Sequence, residues 1–100
     1  MRALKYGQKC QQYNVFLKRI EGGEDCLYLN VFTKTAEPAQ PKAVMVWIHG
    51  GAFVYGSGDD VLYGPDYFMQ RDIVFVTVNY RLGIFGATLA FFFLMILNPF

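Results

Sequence analysis

The 100-residue chain has little net charge and few of the residues that build metal centres. Nine lysines and arginines against eight acidic residues leave a net charge of +1, so nothing suggests nucleic acid or an anionic membrane surface as a partner. One histidine and two cysteines lack the paired ligand spacing of a zinc site. We therefore expect no metal and no other cofactor. At this length the chain holds at most one domain.

The apolar run Ala43 to Ile48 is the most informative segment, because it stops abruptly at His49, Gly50 and Gly51. A continuous apolar run of this length is typical of a strand covered on both faces in a parallel sheet. Adjacent glycines let backbone N–H groups approach a ligand closely, and such a turn can stabilise an oxyanion. A glycine-rich loop without chemistry is the alternative for these residues alone.

Other patterns predict the order of elements around this segment. Alternation from Leu27 to Thr33 indicates a strand near a sheet edge. Two prolines make Thr35 to Lys42 a loop. Ile73 to Val78 is predicted to be a second buried strand, parallel to Ala43 to Ile48 because enough chain separates them for a crossover. Pro65 to Arg71 is predicted to form a short helix.

Three segments in fixed order carry a family signature: EDCLYLNV from Glu24, WIHGGAF from Trp47 and VNYRLGIFG from Val78. Together they resemble the type-B carboxylesterase and cholinesterase family, and Tyr63 to Tyr67 is similar to its insect carboxylesterase branch. The resemblance implies an α/β fold, here a fragment of the α/β-hydrolase fold with the front strands of its central, mostly parallel sheet. Because family members are several times longer, we interpret residues 1–86 as a partial carboxylesterase type-B domain.

The resemblance implies a carboxylic ester hydrolase that uses an acyl-enzyme mechanism on a small-molecule carboxylic ester. Carried onto this sequence, Gly51 and Ala52 supply two oxyanion-hole N–H groups, and Gly50 shapes the turn. The family often has a third glycine where this chain has Ala52, but the chemistry uses a backbone donor that alanine retains. Three nearby aromatic residues could pack or line a pocket, with core packing favoured for the first: Trp47, Phe53 and Tyr55.

The remaining catalytic parts are not recognisable. Ser57, the only serine, lies in YGSGD, which does not fit the G-x-S-x-G elbow, so a turn residue is favoured. His49, the only histidine, lies where the family has a structural residue before the turn. The aspartates are expected to act as caps, turn residues and surface groups: Asp25, Asp59, Asp60, Asp66 and Asp72. The competing interpretation is a non-catalytic esterase-like adhesion or interaction protein, with the same fold and no working triad.

Cys10 and Cys26 form an even pair. The resemblance places Cys26 in the segment that commonly carries a disulfide in secreted members, which implies a Cys10–Cys26 bond. Two free thiols in a cytosolic esterase are the alternative. Residues 1–7 contain no apolar core of a signal peptide, so the sequence leaves open whether the parent protein is secreted or cytoplasmic.

Residues 82–97 carry no charge. The apolar part is shorter than the roughly 20 residues of a membrane span and is interrupted by Gly83 and Gly86, so membrane association is not favoured. From Ala87 onward the sequence departs from the family. We therefore interpret residues 87–100 as a divergent apolar tail produced by truncation or by an erroneous gene model.

Overall fold

The computed structural model describes residues 5–86, apart from the side chains of residues 62 and 63. The strands are β1 (Gln12–Asn14), β2 (Arg19–Glu21), β3 (Leu29–Phe32), β4 (Val44–Ile48) and β5 (Val74–Val78). Between β4 and β5 lie one α-helical turn, α1 (Asp60–Tyr63), and a 3-10 helix (Phe68–Gln70). The interpretation of residues 87–100 as a divergent tail lies outside the described residues. Within residues 5–86, no helix has the length and apolar character needed to cross a membrane.

Three strands form one mixed sheet in the order β3, β5, β4. The central strand β5 runs parallel to β4, with Val46 opposite Val76, and antiparallel to β3, with Val31 opposite the same residue. The parallel relation confirms the prediction for these two apolar segments. The predicted strand near a sheet edge is also confirmed, because β3 lies at the outer side of this sheet. The segment between β3 and β4 has no helix or strand, as its prolines predicted.

The buried side of the sheet is centred on β5, whose side chains alternate between the two faces. Phe75 and Thr77 are fully buried, whereas the three valines that alternate with them along β5 are half-buried. Phe75 stacks on Phe68 of the 3-10 helix with ring centroids 4.6 Å apart, and its ring lies 6.0 Å from that of Phe32 on β3. The crossover between β4 and β5 therefore covers one face of the sheet.

The prediction that Ala43 to Ile48 is buried on both faces is wrong for the described chain. Every residue of β4 is exposed, with 67% exposure at Ile48. Trp47, for which core packing was favoured, is 37% exposed. The reason is topological: β4 is an outer strand, and β5 is the only described helix or strand that contacts it extensively. An apolar sequence specifies a strand, but burial requires other elements to cover it.

The helix predicted for Pro65 to Arg71 is shorter than expected. Only Phe68–Gln70 forms a 3-10 helix, which follows a turn in which Met69 N–H donates to Pro65 O at 2.8 Å. The turn α1 was not predicted, although Asp59 caps it by accepting a hydrogen bond from Val61 N–H at 3.3 Å. The preceding aspartate was the sequence signal for this helix start.

The predicted structural roles of three aspartates are confirmed by their partners. Asp59, besides capping α1, pairs with Lys9 at 3.0 Å. Asp72 accepts a hydrogen bond from the Lys42 ammonium at 2.7 Å, and this bond lowers the pKa of the Asp72 carboxyl. Asp25 accepts from the Tyr28 hydroxyl at 2.8 Å, which raises the pKa of that tyrosine.

A disulfide joins Cys10 and Cys26 and closes the segment that contains β1 and β2. The two strands pair in antiparallel register, with Gln12 opposite Glu21. Both cysteines are buried, and they cluster with Leu82, against which Tyr80 packs. The predicted disulfide is confirmed, and it fixes the β1–β2 hairpin next to the chain that follows β5.

Candidate functional site

His49 directly follows β4 and is buried, with only 2% of its surface exposed. Its ring stacks on Tyr80 with centroids 4.3 Å apart and planes inclined by 11°. The Tyr80 hydroxyl donates to His49 O at 2.6 Å, and burial raises the pKa of this tyrosine. On the histidine ring, Nδ1 lies 2.8 Å from Gly50 O, and Nε2 has no hydrogen-bond partner in the described part of the chain. His49 thus packs as a structural residue at the entry to the glycine turn.

The turn after His49 has an unusual backbone. Gly51, Ala52 and Phe53 have φ angles of 120°, 52° and 62°, the positive region that favours glycine. Val54 N–H and Tyr55 N–H both donate to Gly51 O, at 3.0 and 3.2 Å. A side chain at Gly51 would overlap Tyr55 O. Position 51 therefore requires glycine. Ala52 and Phe53 also have positive φ angles, a backbone conformation that is unfavourable in free energy for residues other than glycine.

Gly50 differs from its neighbour. Its φ lies outside the positive region, and an added side chain would meet no atom of the described residues within 4 Å. Its predicted role in shaping the turn stays a prediction.

Four consecutive backbone donors, from Gly50 to Phe53, have no acceptor among residues 5–86. Among residues 5–86, the N–H groups of Gly51 and Ala52 donate to no backbone or side-chain atom. Ala52 is exposed and Gly51 is half-buried. A backbone donor that the fold leaves unused beside an accessible surface can bind an external acceptor. Gly51 and Ala52, the two residues predicted to form the oxyanion hole, each carry such a donor, and their role in binding an oxyanion stays a prediction.

Polar side chains in β3, in β5 and directly after β5 hold the chain that follows the turn. Gly58 N–H donates to Asn79 Oδ1 at 2.7 Å, and Gly58 O accepts from Thr77 Oγ1 at 2.6 Å and from Asn30 Nδ2 at 3.0 Å. Sequence analysis missed these three residues. The available signal was that each is a polar residue in or directly after an apolar strand, where a buried polar group needs a partner.

Gln12 holds the same segment from the other side. Its side-chain amide makes two hydrogen bonds to Gly56, one to the N–H and one to the carbonyl, each of 2.8 Å. This residue was also missed, because nothing in the sequence relates a glutamine two residues after Cys10 to a glycine 44 positions away.

Ser57 lies between these two held glycines and is 9% exposed. It lies in an irregular segment outside any helix, strand or turn, so the turn role predicted for it is wrong. No hydrogen bond joins Ser57 to His49 in the region that the structure covers. Within the described region, Ser57 and His49 therefore lack the direct hydrogen bond that joins the nucleophile and the base of a serine hydrolase.

The aromatic residues beside the turn are accessible. Phe53 is 73% exposed and Tyr55 is 50% exposed. One edge contact holds the Phe53 ring against Tyr80, with centroids 6.2 Å apart, and Gly83 N–H donates to Phe53 O at 2.6 Å. The side chains of Phe53 and Tyr55 therefore border the same surface as the N–H groups of Gly51 and Ala52.

Comparison with known proteins identifies the family of this chain. The model of the carboxylesterase family matches residues 1–91. The juvenile hormone esterase of Tribolium castaneum is 49% identical over 79 residues, which cover 77% of this chain and 13% of that protein. The para-nitrobenzyl esterase of Bacillus subtilis is 44% identical over 90 residues, covering 84% of this chain and 18% of that protein.

Solved structures of relatives match the fold as well. A carboxylesterase of Geobacillus stearothermophilus superposes with a TM-score of 0.69 at 37% identity, over 82% of this chain and 16% of its own. The juvenile hormone esterase of Manduca sexta, with OTFP covalently attached, superposes with a TM-score of 0.68 at 39% identity. This match covers 80% of this chain and 16% of the Manduca sexta protein. The chain thus spans less than a fifth of the length of these relatives. It carries the strands of an α/β-hydrolase fragment and belongs to the carboxylesterase family.

Proposed function

We propose that this chain is the part of a carboxylic ester hydrolase that stabilises the oxyanion, through the backbone N–H groups of Gly51 and Ala52. One observation carries the proposal: directly after a parallel strand, the N–H groups of Gly51 and Ala52, like those of Gly50 and Phe53 beside them, have no acceptor among the described residues, and Gly51 and Ala52 lie on a turn that only unusual φ angles allow. The relatives named above are esterases, which supports the same reaction class.

In this proposal the two N–H groups act when a serine attacks the carbonyl carbon of the ester. The carbonyl oxygen then becomes an oxyanion, and donors already aimed at it stabilise the tetrahedral intermediate more than the neutral substrate. Loss of the alcohol leaves an acyl-enzyme, which water hydrolyses. The serine, the triad histidine and the acidic residue belong to other parts of the complete enzyme, because neither Ser57 nor His49 fits those roles.

The surroundings of the turn support this role, because oxyanion donors are effective only when they are positioned before the reaction. Two hydrogen bonds to Gly51 O close the turn. The Tyr80 hydroxyl holds the carbonyl of His49 on its entry side. Gly83 N–H holds Phe53 O at its centre. The donors therefore need little rearrangement when charge develops on the substrate.

The test is a Gly51→Asp substitution in the complete esterase of which, in this proposal, the chain is a part. The carboxylate would place negative charge beside the oxyanion, and its Cβ would overlap Tyr55 O. We expect kcat for a simple aryl ester to fall by roughly 10²- to 10³-fold, the loss typical of removing one such donor.

The matched control is Gly64→Asp, which introduces the same charge at a glycine outside the turn and without positive φ, where the atom nearest to an added Cβ is a carboxylate oxygen of Asp66 at 3.3 Å. This variant should keep turnover within a few-fold. Unfolding midpoints of both variants would show whether each is folded. Near-normal turnover by a folded Gly51→Asp variant would contradict the proposal. If the unsubstituted enzyme hydrolysed no ester at all, the non-catalytic alternative would replace it.

A further inference from the structure

We propose that Gln12 is a positioning residue for the Gly51–Ala52 turn, an inference that rests on the proposed function. Its amide Nε2 donates to Gly56 O, and Gly56 N–H donates back to Oε1, each at 2.8 Å. Nε2 also donates to Cys10 O at 3.0 Å. One side chain thus satisfies both polar groups of a peptide residue 44 positions away and is itself held by its own hairpin.

The position of Gly56 matters because it packs directly on the start of the turn. Its φ is 122°, and a side chain there would overlap the His49 ring and lie 2.7 Å from Gly50 O. Gly56 also directly follows Tyr55, whose N–H closes the turn on Gly51 O. A displacement of Gly56 would therefore move the turn at both of its ends.

Gln12 can hold Gly56 because its own backbone is fixed. It lies in β1, opposite Glu21 of β2, and two residues from the buried Cys10 of the disulfide. The two reciprocal hydrogen bonds define both the distance and the direction of the Gly56 peptide, whereas a single bond would permit rotation about it. The disulfide-closed hairpin is thus connected to the turn through one amide.

The chemistry of this contact selects glutamine. A primary amide offers a donor and an acceptor side by side, as the N–H and C=O of Gly56 require. Asparagine has the same groups on a shorter side chain. An ionised glutamate has the right length but only acceptors, so one of its oxygens would face Gly56 O.

The experiment uses the complete esterase with Gln12→Ala and, as matched control, Gln11→Ala. Gln11 is the exposed neighbour, and among the described residues its side chain makes no hydrogen bond, whereas its backbone N–H donates to Gly23 O at 3.2 Å. We expect Gln12→Ala to lower kcat by about 10- to 100-fold with KM changed by less than about 2-fold, the cost of a small misplacement of catalytic groups. Gln11→Ala should change neither constant.

A second readout separates positioning from a merely structural role. A trifluoromethyl ketone forms a tetrahedral adduct whose oxygen is an oxyanion, whereas the product alcohol binds without one. Gln12→Ala should weaken binding of the ketone by the same factor by which it lowers kcat. It should leave the affinity for the alcohol unchanged. If the substitution weakened the binding of both ligands equally, or of neither, the inference would be overturned.

The Gln12→Glu variant gives a further test, because a protonated carboxyl again offers one donor and one acceptor. The ratio of variant kcat to that of the unsubstituted enzyme should be low at neutral pH and rise as pH falls through the carboxyl pKa. A ratio independent of pH would count against the proposed contact.

The outcomes also separate this inference from the proposed function. If Gly51→Asp abolishes turnover while Gln12→Ala keeps it, only the role of Gln12 is wrong. If Gly51→Asp keeps turnover, the oxyanion role of the turn is wrong, and with it the inference about Gln12.

Discussion

Tyr80 holds His49 by two contacts at once: its ring stacks on the imidazole with centroids 4.3 Å apart, and its hydroxyl donates to the His49 carbonyl at 2.6 Å. The tyrosine follows β5 and the histidine follows β4, so the contact joins the carboxyl ends of two parallel neighbours. That edge of a parallel sheet is where α/β proteins commonly place their sites. The contact fixes the point at which the chain leaves the sheet for the glycine turn.

Replacing Tyr80 by phenylalanine should separate the two contacts. The ring remains to stack on His49, but the His49 carbonyl loses its donor in a residue that is 2% exposed. We expect the free energy of unfolding of the complete esterase to fall by about 1–2 kcal/mol, the usual cost of an unsatisfied buried acceptor. Denaturant unfolding would measure it. The control is Tyr28→Phe, because the Tyr28 hydroxyl bonds Asp25 at the exposed surface and its loss should leave the free energy of unfolding nearly unchanged. Equal effects would contradict this account.

Ala52→Gly should leave ester turnover within about a few-fold, because glycine supplies the same backbone N–H. The φ of Ala52 is 52°, a region that glycine adopts at lower cost. The substitution therefore relieves backbone strain while it increases the flexibility of the unfolded chain. Steady-state kinetics on an aryl ester would measure the effect. A loss as large as that expected for Gly51→Asp would show that the Ala52 side chain itself contributes.

Removing the disulfide should destabilise the protein through the unfolded state. Cys10 and Cys26 are separated by 16 positions, and cross-linking a loop of this size is worth about 3 kcal/mol in the chain-entropy model. We expect the Cys10→Ser, Cys26→Ser double variant of the complete esterase to lose about that free energy of unfolding. Non-reducing peptide mapping of the unsubstituted protein would verify the bond in solution. Recovery of both cysteines as freely alkylated thiols would contradict it.

The 100-residue polypeptide alone should hydrolyse no ester above the buffer rate. Oxyanion donors without a nucleophile and base leave the attack on the carbonyl unassisted, and Ser57 has no hydrogen bond to His49 in the described region. An activated aryl ester and a serine-directed phosphonate probe would measure turnover and labelling. Stoichiometric labelling of Ser57 would refute this prediction.

The sequence by itself determined the features that depend on local chemistry. Apolar runs specified β4 and β5, and the chain length between them indicated a parallel pair, because a crossover needs many residues. The two adjacent glycines after His49 indicated a backbone that other residues avoid, and the second of them, Gly51, has that conformation. The three family segments were sufficient to indicate the carboxylesterase fold and the disulfide.

Only the tertiary structure decided which distant groups meet and which surfaces are covered. The amide of Gln12 bonds Gly56 across 44 positions, a contact that depends on the path of the whole intervening chain. Apolar β4 is exposed because it is an outer strand of the described sheet. Dihedral preference and hydrophobic pattern are properties of a short segment, whereas hydrogen-bond partners and burial are properties of the elements that the fold brings against it.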